Sequence, residues 1–185
     1  NGMGSMVAVI SDGMGSGAKA AVDSVMTCSL ISRLMRAGFS PENAINTVNC
    51  ALLMKSADET LSTLDIMRFS LETGNAEFFK AGAAFSVIKK GEKTLVVEKS
   101  SMPLGILSET QLQKSETVLG NNDIVFVISD GAAVISPSDF KRLIQDNKAA
   151  SVKELSKKAV EEAIRLSPTG KHDDITVLCI KIKSN

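Results

Sequence analysis

A short apolar run that ends in Ser-Asp-Gly occurs twice in this chain, and the two copies constrain what it can fold into. The first is Val7-Ala8-Val9-Ile10-Ser11-Asp12-Gly13, continued by Met14-Gly15-Ser16-Gly17. The second is Asp123-Ile124-Val125-Phe126-Val127-Ile128-Ser129-Asp130-Gly131. Each reads as a buried strand that delivers one carboxylate to a sharp turn, since glycine lets the backbone bend tightly or approach another group closely. A further carboxylate pair, Asp173-Asp174, precedes the last strand pattern, Ile175 to Ile182.

Periodicity predicts the elements between these points. Ala18 to Ala37 carries apolar residues at Val22, Val25, Met26, Leu30, Ile31, Leu34 and Met35, an amphipathic helix that Gly38 ends. Ser40-Pro41 caps a second helix running through Ala44, Val48, Leu52 and Leu53 towards Ala57. From Thr60 the texture changes to an antiparallel meander, with strands near 64–71, 76–80, 84–88 and 94–98 and a weak edge strand near 115–119. The five apolar residues Ile124 to Ile128 predict a strand with no solvent face. Ser136-Pro137 opens a short helix with Phe140, Leu143 and Ile144 inward. Ser151 and Glu154 form a capping box for a helix bearing Leu155, Ala159, Ala163 and Leu166. The order β, α, α, several strands, α, α, β predicts an α+β sandwich rather than a doubly wound parallel sheet.

Composition narrows the chemistry. Twenty-one basic and twenty-one acidic residues cancel, which leaves no electrostatic footprint for nucleic acid or an anionic membrane surface. The single histidine, His172, gives a His-rich zinc site or a histidine-based nucleophile little to draw on, so any metal here is expected to be a hard, oxygen-bound one. Cys28, Cys50 and Cys179 stand far apart and are expected to be free, buried thiols of a reducing compartment. Met26, Met35 and Met54 are expected to fill core gaps. No apolar run reaches the roughly 18 residues of a membrane span. Residues 1–6 read as a ragged start or cloning remnant, and 7–185 as one domain whose preceding part, including at least one strand, is expected to be missing.

Gly13, Gly15 and Ala18 also match the dinucleotide fingerprint. That reading needs a parallel strand after the first helix, yet a second helix follows, and Asp12 would set a negative charge beside a pyrophosphate. Taken singly, Asp12, Asp130 and Asp173-Asp174 could each be a cap or turn residue. Together they suggest otherwise, because carboxylates gathered without cations repel, and hard divalent ions resolve that repulsion. A water acidified between two such ions is a nucleophile at neutral pH.

Ser11-Asp12-Gly13-Met14-Gly15-Ser16-Gly17, Ser62-Thr63-Leu64-Asp65, Met102-Pro103-Leu104-Gly105-Ile106, Ser129-Asp130-Gly131 and Asp173-Asp174-Ile175-Thr176-Val177 stand in one order and spacing. In this the chain resembles the bacterial type 2C (PPM) serine phosphatases, nearly throughout from Val7. The resemblance implies a four-layer αββα sandwich of two antiparallel sheets flanked by helix pairs. It implies two Mn²⁺ or Mg²⁺ ions and a bridging water that attacks phosphoserine or phosphothreonine in line. Carried over, Asp12 bridges both ions, the Gly13 carbonyl binds the second, and Asp130 and Asp173 hold the first, with Asp12 and Asp130 carrying catalysis. Asp174 supports these ligands, Thr63 and Asp65 fall in a strand motif of the family to which only packing is assigned, and His172 is expected to be a loop residue rather than a general acid. Ala132-Ala133-Val134 departs from the bulkier or acidic residues of many relatives.

The resemblance further implies a phosphorylated anti-sigma factor antagonist as substrate, in sporulation sigma-factor control, and a cytoplasmic domain whose parent can be membrane-anchored. An open sheet edge would invite pairing with a second copy. Two rival readings are a stress-response phosphatase with another phosphoprotein substrate and a catalytically silent regulatory binding module.

Overall fold

Strands and helices form where the periodicity changes. The computed structural model describes residues 4–15, 17–55, 61–98, 101–108, 110, 112–168 and 173–183. Ser16, Ala57, Thr60 and His172 lie outside the described residues. In chain order the elements are β1 (Ser5–Ile10), α1 (Ala18–Arg36), α2 (Pro41–Lys55), β2 (Leu64–Ser70), β3 (Asn75–Ala81), β4 (Ser86–Lys90) and β5 (Lys93–Val97). Then follow β6 (Gln113–Val118), β7 (Ile124–Ile128), a single 3₁₀ turn (Asp130–Ala132), α3 (Pro137–Asp146), α4 (Val152–Leu166) and β8 (Val177–Lys181). The strands make two antiparallel four-stranded sheets, ordered β1-β2-β3-β6 and β5-β4-β7-β8, in the α+β class expected. The chain divides into two compact units, one built from Asn1–Ala83 and Lys99–Val118, the other from Ala84–Glu98 and Leu119–Asn185.

In the first unit, alternation along β2 and β3 puts Leu64, Ile66, Phe79 and Ala81 on one face of the sheet, in the cross-strand pairs Leu64 with Ala81 and Ile66 with Phe79. Against this face pack Ile31 and Met35 of α1 and Ala44, Ile45, Val48 and Leu52 of α2. Each fully buried Leu or Ile of this layer is worth about 1.5–3 kcal/mol. Gly38, at φ 95°, closes α1. Its N–H donates to the Met35 carbonyl at 3.1 Å and the Phe39 N–H to the Leu34 carbonyl at 3.1 Å, the Schellman pair of bonds.

The apolar stripe of α1 is wider than its buried face. The inward residues are Asp23, Thr27, Ile31 and Met35, four apart, whereas Val22 and Val25 are 56% and 68% exposed, contrary to the expected inward stripe. Asp23 tolerates burial because the Lys55 ammonium of α2 reaches it at 2.6 Å. Met54 sits on the outer side of α2, 89% exposed, and fills no core. All three cysteines are free, but none is fully buried as expected: Cys28 and Cys179 are half-buried and Cys50 is exposed. Burial pushes the Cys179 thiol up to about 12, which keeps it protonated and inert.

The second unit repeats the scheme. All five residues of β7 are buried, and Ile124, Phe126 and Ile128 join Val87 of β4 beneath Phe140 and Ile144 of α3 and Leu155, Ala159 and Ala163 of α4. The Phe126 and Phe140 rings lie 5.3 Å apart, and Phe85 meets Phe140 edge-on at 6.2 Å. Ser136 caps α3, and the Ser151–Glu154 box opens α4. The meander read as continuous is split, with the β2–β3 hairpin in one sheet and the β4–β5 hairpin in the other. The weak strand expected near 115–119 is indeed an edge, β6, paired to β3 alone.

Candidate active site

The first Ser-Asp-Gly turn leaves the end of β1, where Ile10 is buried and Asp12 half-buried. It lies against the segment that enters β2. The Thr63 N–H donates to the Asp12 carbonyl at 2.8 Å, and the Met14 N–H to the Leu61 carbonyl at 2.9 Å. These bonds bracket a bridge between Gly13 and Ser62. In an antiparallel pair so bracketed, the N–H and C=O of Gly13 point away from Ser62, which keeps that carbonyl out of this ladder. Ser62 bridges in turn to Leu104, with N–H to carbonyl bonds of 3.2 and 2.9 Å in the two directions.

Hydroxyls complete the lacing. The Asp12 N–H donates to Thr63 Oγ1 at 2.9 Å. Ser11 Oγ donates to the Thr63 carbonyl at 2.7 Å and lies 2.6 Å from Ser62 Oγ. Ser62 Oγ, with one proton to give, has Ser11 Oγ and the Asp12 carbonyl, 3.1 Å away, within reach. Gly13 is dictated by crowding, since a Cβ there would sit 2.0 Å from the Ala20 carbonyl oxygen.

The second turn has the same design. Buried β7 delivers Ser129, itself buried, and then the exposed Asp130. The Ser129 N–H donates to the Thr176 carbonyl at 3.0 Å, the Thr176 N–H donates to Ser129 Oγ at 2.9 Å, and that hydroxyl donates to the Asp174 carbonyl at 2.9 Å. The Asp174 N–H meets Asp173 Oδ1 at 3.0 Å and so orients that carboxylate. A Cβ on Gly131 would lie 2.5 Å from the Asp174 carbonyl oxygen, so the Asp173-Asp174 peptide rests directly on the glycine. Asp130 and Asp173 are thereby held in one corner of the second unit, while Asp12 and Gly13 belong to the first.

Gly131→Ala is therefore expected to cost about 1–3 kcal/mol, the usual range for forcing a methyl into a filled space. It should also push Asp173 away from Asp130. Urea denaturation beside a Mn²⁺ titration checks both, and an unchanged midpoint with unchanged Mn²⁺ binding would contradict the packing.

The candidate donors are carboxylates and one backbone carbonyl, all oxygen, a chemistry that fits a hard divalent ion and not a soft one. Asp130 and Asp173 are open to solvent, where such an ion can enter. Among the described residues no three Asp, Glu, His or Cys side chains form a ready metal cluster. Asp174 contributes its backbone, with its side chain in solvent. Sequence reasoning quoted Ser11, Ser62, Thr63 and Ser129 within their motifs but missed that they hold the turns; the repeated serine before the aspartate pointed to Ser11 and Ser129, and no local signal pointed to Ser62 or Thr63.

This architecture is that of the PP2C serine phosphatases. Over its whole length the chain superposes on the PP2C phosphatase domain and a fragment of the regulatory domain of the cell fate determinant SpoIIE from Bacillus subtilis. The TM-score is 0.86 at 30% identity, and the chain covers 57% of that structure. The family model for stage II sporulation protein E (SpoIIE) matches residues 2–183, and the chain belongs to that family. It is 32% identical to stage II sporulation protein E of Bacillus subtilis (strain 168) over 96% of its length, and 30% identical to that of Priestia megaterium over 98%. The chain spans 22% and 32% of those two relatives. Among the described residues no helix is long and apolar enough to cross a membrane.

Proposed function

We propose that this chain is the catalytic domain of a Mn²⁺- or Mg²⁺-dependent serine phosphatase that hydrolyses phosphoserine on a phosphorylated anti-sigma factor antagonist in sporulation sigma-factor control. The observation that carries the reading is the doubled turn: twice, a strand delivers Ser-Asp-Gly, and twice the polar groups beside the aspartate bind it to a distant segment, although only β7 is the buried strand expected, β1 being an edge strand buried at Ile10 alone. Membership of the SpoIIE family supports it.

Asp12, the Gly13 carbonyl, Asp130 and Asp173 would hold the ions, with the Asp174 backbone steadying the last of these. Bound divalent ions supply charge neutralisation at the phosphoryl oxygens and lower the pKa of water. The contribution of the chain itself is rigid placement. Asp12 is fixed by bonds to both its N–H and its carbonyl, Asp130 follows a fully buried strand, and the Asp173 carboxylate is oriented by the next N–H. Positions set in advance cost no reorganisation when charge develops on the phosphoryl group. The domain acts at the cytoplasmic side of a membrane-anchored parent. β1, at the edge of its sheet, supports pairing with a second copy.

Hydrolysis of a small aryl phosphate and of a phosphoserine peptide with Mn²⁺, with and without chelator, tests the proposal. Turnover that needs Mn²⁺ and disappears with chelator is expected. Metal-independent turnover, or phosphoprotein binding without any turnover, would favour a different enzyme or a silent regulatory module.

A further inference from the structure

We infer that Thr63 is a positioning residue for Asp12, an inference that rests on the assignment of Asp12 to the metal site. Three groups of this one residue engage the turn. Its hydroxyl oxygen accepts the Asp12 N–H at 2.9 Å, its own N–H donates to the Asp12 carbonyl at 2.8 Å, and its carbonyl accepts from Ser11 Oγ at 2.7 Å. The peptide groups on both sides of the Asp12 Cα are thus tied to a residue 51 positions away in sequence. With both fixed, the direction of the Cα–Cβ bond is fixed, and the carboxylate has only its own two torsions left.

Thr63 is itself held. Its side chain is buried, and it stands directly before β2, whose Leu64 and Ile66 are locked into the helix-covered face. Two positions on, Asp65 is ion-paired with Lys80 inside the sheet. Ser62, its neighbour, is bonded on its far side to Leu104. The threonine hydroxyl therefore transmits the rigidity of β2 to the Asp12-Gly13 turn, where Gly13 also packs against the Ala20 carbonyl. An independent parallel strengthens the case. In the second unit the Ser129 hydroxyl also accepts a backbone N–H and donates to a backbone carbonyl beside an acidic pair. Hydroxyl-to-backbone clamps thus stand next to both Asp-Gly turns. Residues that orient metal ligands without touching the metal typically change affinity or activity by about 10–100-fold when altered.

The informative variants are Thr63→Val, which keeps the shape and removes the acceptor, and Thr63→Ser, which keeps the acceptor. Mn²⁺ affinity by calorimetry, kcat and KM for an aryl phosphate, and hydrogen exchange at the Asp12 amide are the readouts. Thr63→Val is expected to weaken Mn²⁺ binding by about 10–100-fold, to lower kcat more than it raises KM, and to speed Asp12 amide exchange, with Thr63→Ser close to the parent. Wild-type Mn²⁺ affinity in a folded Thr63→Val protein would overturn the inference. Should Thr63→Val not fold, Ser11→Ala and Asp12 amide exchange in the unaltered protein decide. A slowly exchanging amide, and weaker Mn²⁺ binding in Ser11→Ala, support the clamp; a freely exchanging amide overturns it. Asp12→Asn separates the two levels. If that variant binds Mn²⁺ normally, the site assignment fails; if it does not, while Thr63→Val does, only the positioning role of Thr63 fails.

Discussion

Asp12→Asn and Asp130→Asn should each lower Mn²⁺-dependent kcat/KM by about 10³-fold or more, because one ligand carboxylate is asked for several kcal/mol of charge stabilisation and each 1.36 kcal/mol is tenfold. The amide is nearly isosteric, so the loss would be one of charge. At Asp12 the bonds that hold the loop run through the backbone N–H and carbonyl, which asparagine retains. At Asp130 the neighbouring Ser129 makes the ties to Asp174 and Thr176. Both variants should therefore melt within a few degrees of the parent, as surface-type changes usually do. Steady-state kinetics across a Mn²⁺ series, read beside thermal melts, checks this. A variant that keeps a tenth of the parental rate at saturating Mn²⁺ would remove its aspartate from the proposed ligand set.

Lys80→Met should have the largest effect on stability. Lys80 and Asp65 are register partners on β3 and β2, their side chains are each 1% exposed, and they lie on the sheet face opposite Leu64 and Ile66. Removing the ammonium leaves a buried carboxylate without its counter-charge, at a cost of about 3–5 kcal/mol, against a total stability of about 5–15 kcal/mol for a protein of this kind. The double variant Lys80→Met with Asp65→Leu removes both charges and should recover most of the loss, since a well-packed apolar pair often equals a buried ion pair. Urea unfolding of the two single variants and the double closes the cycle. A Lys80→Met protein within about 1 kcal/mol of the parent would mean that water or another group reaches Asp65.

Strand and helix placement was legible because its causes are local. Five consecutive apolar residues announced β7, Ser-Pro and Ser-x-x-Glu announced α3 and α4, and Gly38 announced the end of α1. The aspartates of the turns were legible for the same reason. What holds them was not. Thr63 reaches Asp12 across 51 positions and Ser129 reaches Thr176 across 47, and no pattern within one element reports such a meeting. Gly13 was legible as glycine but not its reason, which is the Ala20 carbonyl beside it rather than a left-handed backbone. The inward side of α1 was misjudged because Asp23 looks like a solvent residue until Lys55 of the next helix is beside it. The division of one apparent meander between two sheets depends on long-range pairing, which hydrophobic alternation alone leaves open.

That division bears on how the chain can be cut. The polypeptide passes between the units after Ala83, after Glu98 and after Val118. The hairpin of β4 and β5 is thus spliced into the sequence of the first unit while it supplies two of the four strands of the second sheet. No single truncation yields either unit as an unbroken polypeptide. Fragment complementation or circular permutation of this protein must respect all three passages, and a library of end deletions would test strands of both sheets at once.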